Sequence, residues 1–298
     1  MSKIKKINPL VEAMKTKNVF VRIPSNGILE YDHSIFSAST KDEIGITGRS
    51  SKDELRFHVP DALMNGKAVS ECIESCVEEV NDADGLYLPD VYTLLLGIKV
   101  ASGEKTYDIE AKCPNCEKKG SFTREIEPLL DDATLLYEEV KVDLDNGITI
   151  YLAPNTWGFY NSVNERLFRQ QYMLKVITDG IKSNELDEKD AVEQVNKIYE
   201  NLLKYKHDLI ANCIRVATLP DGREIDDKEQ IREFVDCFTT EQIAIMKEKI
   251  DFLNNKLGID ETFPVVCSDC AHEWDITKLE YDPSIFFGRN FSTQTKAK

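Results

Sequence analysis

Near both ends of the chain, apolar and polar positions alternate in short runs; through the middle, apolar positions recur at helical intervals. Residues 19–23 carry the two-residue period of a strand, stopped at Pro24-Ser25-Asn26-Gly27, where Asn-Gly supplies the positive φ of a tight turn. Strand-like runs follow at 28–31 and 43–47. Ser50-Ser51-Lys52-Asp53-Glu54 has the hydroxyl-then-acid order that starts a helix, Pro60 opens a further turn, and Asn65-Gly66 closes it. The spacing of Val69, Cys72, Ile73, Cys76, Val77 and Val80 predicts a helix over 67–80. A second helix is capped by Pro89-Asp90, carries Val91, Leu94, Leu95 and Ile98, and ends at Ser102-Gly103.

Farther on, 127–132 reads as an acidic link, and 135–142 with 147–151 as a hairpin turning at Asp145-Asn146-Gly147. From 155 to 183, Phe159, Val163, Leu167, Leu174, Ile177 and Ile181 fall on one helical face. A second long helix over 187–216 turns Val192, Val195, Ile198, Leu202, Leu209 and Cys213 inward. Pro220-Asp221-Gly222 breaks it; Asp226-Asp227-Lys228-Glu229 and Thr239-Thr240-Glu241-Gln242 cap two shorter helices, the last stopping at Gly258.

Two stretches share one outline. YDIEAKCPNCEKKGSFTREI and, far downstream, FPVVCSDCAHEWDITKLEY each hold an alternating run, a Cys-x-x-Cys, a polar turn and another alternating run. A hairpin of this kind presents two thiolates from one knuckle, so Cys113, Cys116, Cys267 and Cys270 make a candidate tetrahedral site for structural zinc, with no coordination position left for chemistry. Two disulfides, free thiols, or two incomplete or intermolecular sites are the alternatives. His272 could replace a cysteine, although four thiolates already close the shell. Cys72, Cys76, Cys213 and Cys237 sit in apolar segments and read as small core residues.

The expected fold is α+β: a discontinuous β and zinc-ribbon module with covering helices and an inserted helical subdomain. In numbers, 1–18 is an arm, 19–153 with 259–285 the module, 154–258 the insertion, and 286–298 a tail. An arrangement with the helices as main core and the ribbon as appendage is the alternative. Phe286, Phe287 and Phe291 lie among Gly and Ser near the end, so they dock on a partner or pack back on the parent fold.

With 298 residues and 42% hydrophobic content, the chain has material for a sizeable core. Its net charge of −16 disfavours phosphate backbones and anionic membranes as main partners. Apolar runs are too short to span a bilayer, and the basic start lacks the apolar stretch of a signal peptide. Eight cysteines without a secreted pattern fit a reducing compartment. Hydrolase triads and phosphate-binding glycine loops are absent, and the acidic runs Glu78-Glu79, Asp131-Asp132 and Glu138-Glu139 read as solvated faces. Redox catalysis by Cys-x-x-Cys needs a helix start after the pair, whereas here a strand follows each.

The ordered set RIPSNG, EIGITGRSSKDEL, VPDALMNGKAVSECIESCV and LPDVYTLLLGIKVASGEKTYDIEAKCPNC resembles the T4-type bacteriophage baseplate hub assembly family of contractile-tailed phages. The likeness covers about residues 20–130, and the second Cys-x-x-Cys with the Phe-Phe tail is also similar. It implies a non-enzymatic protein that works with other hub, spike or tape-measure proteins, in the host cytoplasm during assembly or in the finished tail baseplate. A zinc-ribbon adaptor for nucleic acid or polymerase is the competing function, and a thiol or metal enzyme a third.

Overall fold

The structure, a computed structural model, describes residues 16–57, 66–182, 188–260 and 262–277. The turn read at 60–65, most of the N-terminal arm and the tail aromatics Phe286, Phe287 and Phe291 lie outside these residues. Within them the architecture is α+β, with small separate antiparallel sheets. The described residues form two compact units, one within Met1–Ala83, Asp90–Leu135 and Leu257–Lys298, the other within Asp84–Pro89 and Leu136–Lys256.

In the first unit, β1 (Val19–Val21) pairs with β2 (Ile44–Ile46), matching Val19 to Ile46 and Val21 to Ile44. Helix α1 (Ser51–Arg56) starts where its hydroxyl-acid pair predicts: Ser50 and Asp53 form a reciprocal capping box. Helix α2 (Lys67–Cys76) stops earlier than its apolar spacing suggests. Val77 is extended and bridges to Ile46, and Val80 bridges to Phe36, so these β-branched residues serve strand pairing instead of another helical turn.

Helix α3 (Leu88–Ala101) is apolar almost all round and correspondingly buried, with Val91, Leu94, Leu96 and Ile98 fully enclosed. A Cβ on Gly97 would come within 2.4 Å of the buried Ile46 side chain, so glycine is what lets the helix approach β2 so closely. Asp90, read from sequence as part of a cap, is buried in this unit. Its carboxylate accepts the Ser25 N–H at 2.9 Å and the Tyr31 hydroxyl at 2.5 Å.

Burial pushes the Asp90 carboxyl up from 3.8 to about 6, against the Tyr31 and Ser25 hydrogen bonds that favour its charge. Because the folded pKa is the higher one, the folded state holds the extra proton. This stability is fully present below about pH 4 and is lost as pH rises through about 6. Relative to Asp90→Asn, the natural protein should therefore lose up to ~3 kcal/mol between those limits, measured by denaturant titration across that range. A stability difference that does not change with pH would contradict this.

Strands β3 (Thr106–Lys112) and β4 (Lys119–Glu125) form one hairpin, and β9 (Thr262–Val266) and β10 (Glu273–Thr277) another. The supposed acidic link after β4 is a helical turn, α4 (Glu127–Asp131), and it inserts Leu129 into the core. Leu129 joins Leu96, Ile126 and Ile259 in one buried cluster. Beside it Thr134 and Gly258 exchange two backbone hydrogen bonds, of 2.7 and 2.8 Å, so the chain leaves this unit and returns to it through adjacent positions.

The second unit contains a four-stranded antiparallel sheet in sequence order: β5 (Val140–Asp143), β6 (Thr149–Leu152), β7 (Ile214–Thr218) and β8 (Glu224–Ile225). Between β6 and β7 stand two long helices, α5 (Trp157–Lys182) and α6 (Glu188–Cys213). The expected helix over 187–216 thus ends at Cys213, because Ile214, Val216 and Ala217 pair with β6. Helix α7 (Lys228–Asp236) begins at the Asp227 cap, and α8 (Thr240–Asp251) at a Thr239–Gln242 capping box, continuing as a π-helical turn over Phe252–Lys256. Buried Ile177, Ala191 and Ile198, with Leu174, Val195 and Leu202 around them, form the α5–α6 seam. Val192 departs from expectation: it is exposed, and its neighbour Ala191 takes the inward place.

Candidate metal centre

The two Cys-x-x-Cys loops, 113–118 and 267–272, are built alike. In the first, the Cys113 N–H donates to Lys118 O and the Glu117 N–H to Cys113 O, both at 2.9 Å. In the second, the Cys267 N–H donates to His272 O at 2.9 Å and the Ala271 N–H to Cys267 O at 3.0 Å. Glu117 and Ala271, each just after the second cysteine, both take positive φ, at 59° and 53°. Such a left-handed step turns the chain sharply enough for both sulfurs of a knuckle to point the same way. The hairpin registers agree as well, since each loop joins the last pair of its ladder, Lys112 with Lys119 and Val266 with Glu273.

All four sulfurs meet. Cys113 Sγ lies 3.6 Å from Cys270 Sγ, Cys116 Sγ lies 3.6 Å from Cys267 Sγ, and the whole set falls within 4.8 Å. A disulfide needs about 2.05 Å. Four sulfurs around an ion at about 2.3 Å stand about 3.8 Å apart, and the observed spacing is of that size. The cluster could hold a metal ion, and a tetrahedral sulfur set suits zinc or iron. Cys113 and Cys267 are buried, Cys116 is half-buried, and Cys270 is exposed.

Crowded thiols resist ionising together. The His272 backbone N–H, with help from the Asn115 amide, lowers the Cys270 thiol to about 6. The Lys118 backbone N–H favours a thiolate at Cys116 too, but burial and the adjoining sulfurs outweigh it and push that thiol up to about 12. A cation among the four reverses this repulsion, which is the chemistry of a thiolate metal site.

Contacts across the knuckles were not foreseen from sequence. Asn115 donates to Cys270 Sγ at 3.6 Å, and Lys118 pairs with Asp269 at 2.6 Å. Phe122 on β4 meets Trp274 on β10 edge to face, with centroids 5.5 Å apart, and His272 stacks on Trp274 at the periphery, outside the sulfur cluster. Asn115 and Asp269 each stand two residues after the first cysteine of their knuckle, so the repeated outline was the available signal.

The remaining cysteines divide. Cys72, Cys76 and Cys213 are fully buried, as expected of core residues; the hydrogen bond with Cys76 and burial raise the Cys72 thiol, and burial pushes that of Cys213 up to about 12. Cys237 is a correction, because it is exposed just after α7, where the helix has ended and its apolar face no longer covers it. None of the described helices is long and apolar enough to cross a membrane.

Fold and site together define an α+β protein with a ribbon-like four-cysteine centre assembled from two distant hairpins. A family model described as T4 bacteriophage base plate protein matches residues 59–287. The chain belongs to this family of phage baseplate proteins. No curated protein and no solved structure gives a significant match.

Proposed function

We propose that the chain is a non-enzymatic component or assembly factor of the baseplate hub, in which a structural zinc ion on Cys113, Cys116, Cys267 and Cys270 clasps the two hairpins. Supporting this reading is one observation above all: in a chain of the baseplate family, the four thiols belong to loops remote in sequence yet meet at the spacing of a closed tetrahedral site. A closed site leaves no position for a substrate, so its effect is mechanical. The hairpin strands then offer other hub, spike or tape-measure proteins a fixed surface during assembly in the host cytoplasm or in the finished tail. With a net charge of −16, proteins suit the chain as partners better than nucleic acid does.

Co-expression with the hub, spike and tape-measure proteins of the same phage, followed by affinity capture and native mass spectrometry, tests the role. A stoichiometric complex with at least one of them is expected. Capture of none, together with salt-sensitive binding to RNA or DNA, would favour the adaptor reading instead.

A further inference from the structure

The four corners of the sulfur cluster differ in exposure, although the two knuckles are built alike. Cys113 and Cys267, the first cysteine of each knuckle, are 2% and 7% exposed. Of the two second cysteines, Cys116 is half-buried and Cys270 is exposed. Cys270 is therefore the corner most open to a solute that competes for an ion.

The side chains beside these corners differ too. Cys113-Pro114-Asn115-Cys116 and Cys267-Ser268-Asp269-Cys270 place Asn115 and Asp269 at the same step of their knuckles. An amide carries two N–H donors, whereas an ionised carboxylate only accepts. Asn115 reaches across to the opposite knuckle and donates to Cys270 Sγ at 3.6 Å. Asp269 has no donor to offer Cys116 in return, and its carboxylate accepts from the Lys118 ammonium at 2.6 Å. Both donors thus come from the first knuckle, and both fall on the short segment that carries the exposed sulfur. A hydrogen bond to a thiolate is strengthened by its charge, and groups that orient a metal ligand in this way are worth about 10–100-fold in metal affinity.

A second approach to the cluster exists. A cavity of about 240 Å³ touches Cys113 and Cys267 beside Phe122, Trp274 and the Lys118–Asp269 pair. It is smaller than the ~300–1,000 Å³ of pockets that enclose small molecules. Both cysteines on it are buried, so it is the poorer route.

We propose that Cys270 is the corner at which the site opens and closes, and that Asn115 is the positioning residue that holds it shut. This rests on the reading of the four cysteines as a metal site. When Cys270 lets go, Cys267 still ties the second hairpin to Cys113 and Cys116, so the first step of exchange does not part the hairpins. Zinc content of the full-length protein is measured first; protein that takes up no zinc would overturn the metal reading and this proposal with it. On zinc-loaded protein, limiting N-ethylmaleimide followed by peptide mass mapping gives the order of labelling, with the exposed Cys237 as a reference outside the site. Cys270 should be the first of the four to be modified. Zinc transfer to excess 4-(2-pyridylazo)resorcinol should be at least ~10-fold faster in Asn115→Ala and in Asn115→Leu, which keeps about the same size without an N–H. Position 115 is exposed, so circular dichroism and Cys237 labelling should not change. Labelling of Cys113 or Cys267 ahead of Cys270 would overturn the proposal and assign the route to the cavity. Transfer rates unaltered in both Asn115 variants would overturn it as well.

Discussion

Cys267→Ser, or removal of the ion by a strong chelator, is expected to separate the two hairpins and destabilise the first unit by at least ~3 kcal/mol, lowering its melting temperature by ~6–12 °C. The size follows from what the ion replaces. Among the described residues, the sheets β3–β4 and β9–β10 each have two strands, and such a hairpin is marginal alone. Between them stand the Phe122–Trp274 contact, the Lys118–Asp269 pair and the hydrogen bonds of Arg124 to the carbonyls of Asp260 and Thr262. The ion pair is solvent-exposed and worth little. Without a cation, the four thiols cannot all ionise together and no longer tie the two hairpins to each other. Differential scanning calorimetry with and without verified metal, on natural protein and variant, measures the effect; identical melting in all samples would contradict it.

Leu96→Ala carries the second large effect, an expected loss of ~2–5 kcal/mol. Leu96 is fully enclosed, against Ile126, Leu129 and Ile259. Ile126 follows directly on β4, and Ile259 lies shortly before β9, so this cluster is the apolar footing of both hairpins. Truncation leaves a cavity that the α3 backbone, held against β2 at Gly97, has little freedom to fill. In urea titrations the midpoint should fall while the slope stays constant. A change below ~0.5 kcal/mol would mean that the site is not packed as described.

The knuckles were legible because their chemistry is written locally: two cysteines at fixed spacing, strand-like alternation on either side and a polar turn. Their meeting across about half the chain was inferable only because four sulfurs complete a tetrahedron that two cannot. Helix starts at Ser50, Asp227 and Thr239 were equally readable, since a cap is a contact between near neighbours. Helix ends were not. Val77 and Ile214 to Ala217 fit a helical stripe as well as a strand, and the choice was made by Ile46 and β6, residues remote in sequence. Val192 misled for a related reason. The more apolar of two adjacent residues looks inward by composition, but the coiled-coil spacing places the smaller Ala191 at the seam. Asp90 has the sequence signature of a cap, and only the folded positions of Ser25 and Tyr31 reveal it as a buried acceptor.

In the proposed clasp, one ion joins the two hairpins. Metal analysis with X-ray absorption at the zinc edge, on protein purified without added metal, tests it most directly. One zinc per chain with four sulfur neighbours at about 2.3 Å is expected, lost in Cys113→Ser and in Cys267→Ser. Metal-free protein with all four cysteines titrating as free thiols, or joined as disulfides, would contradict it.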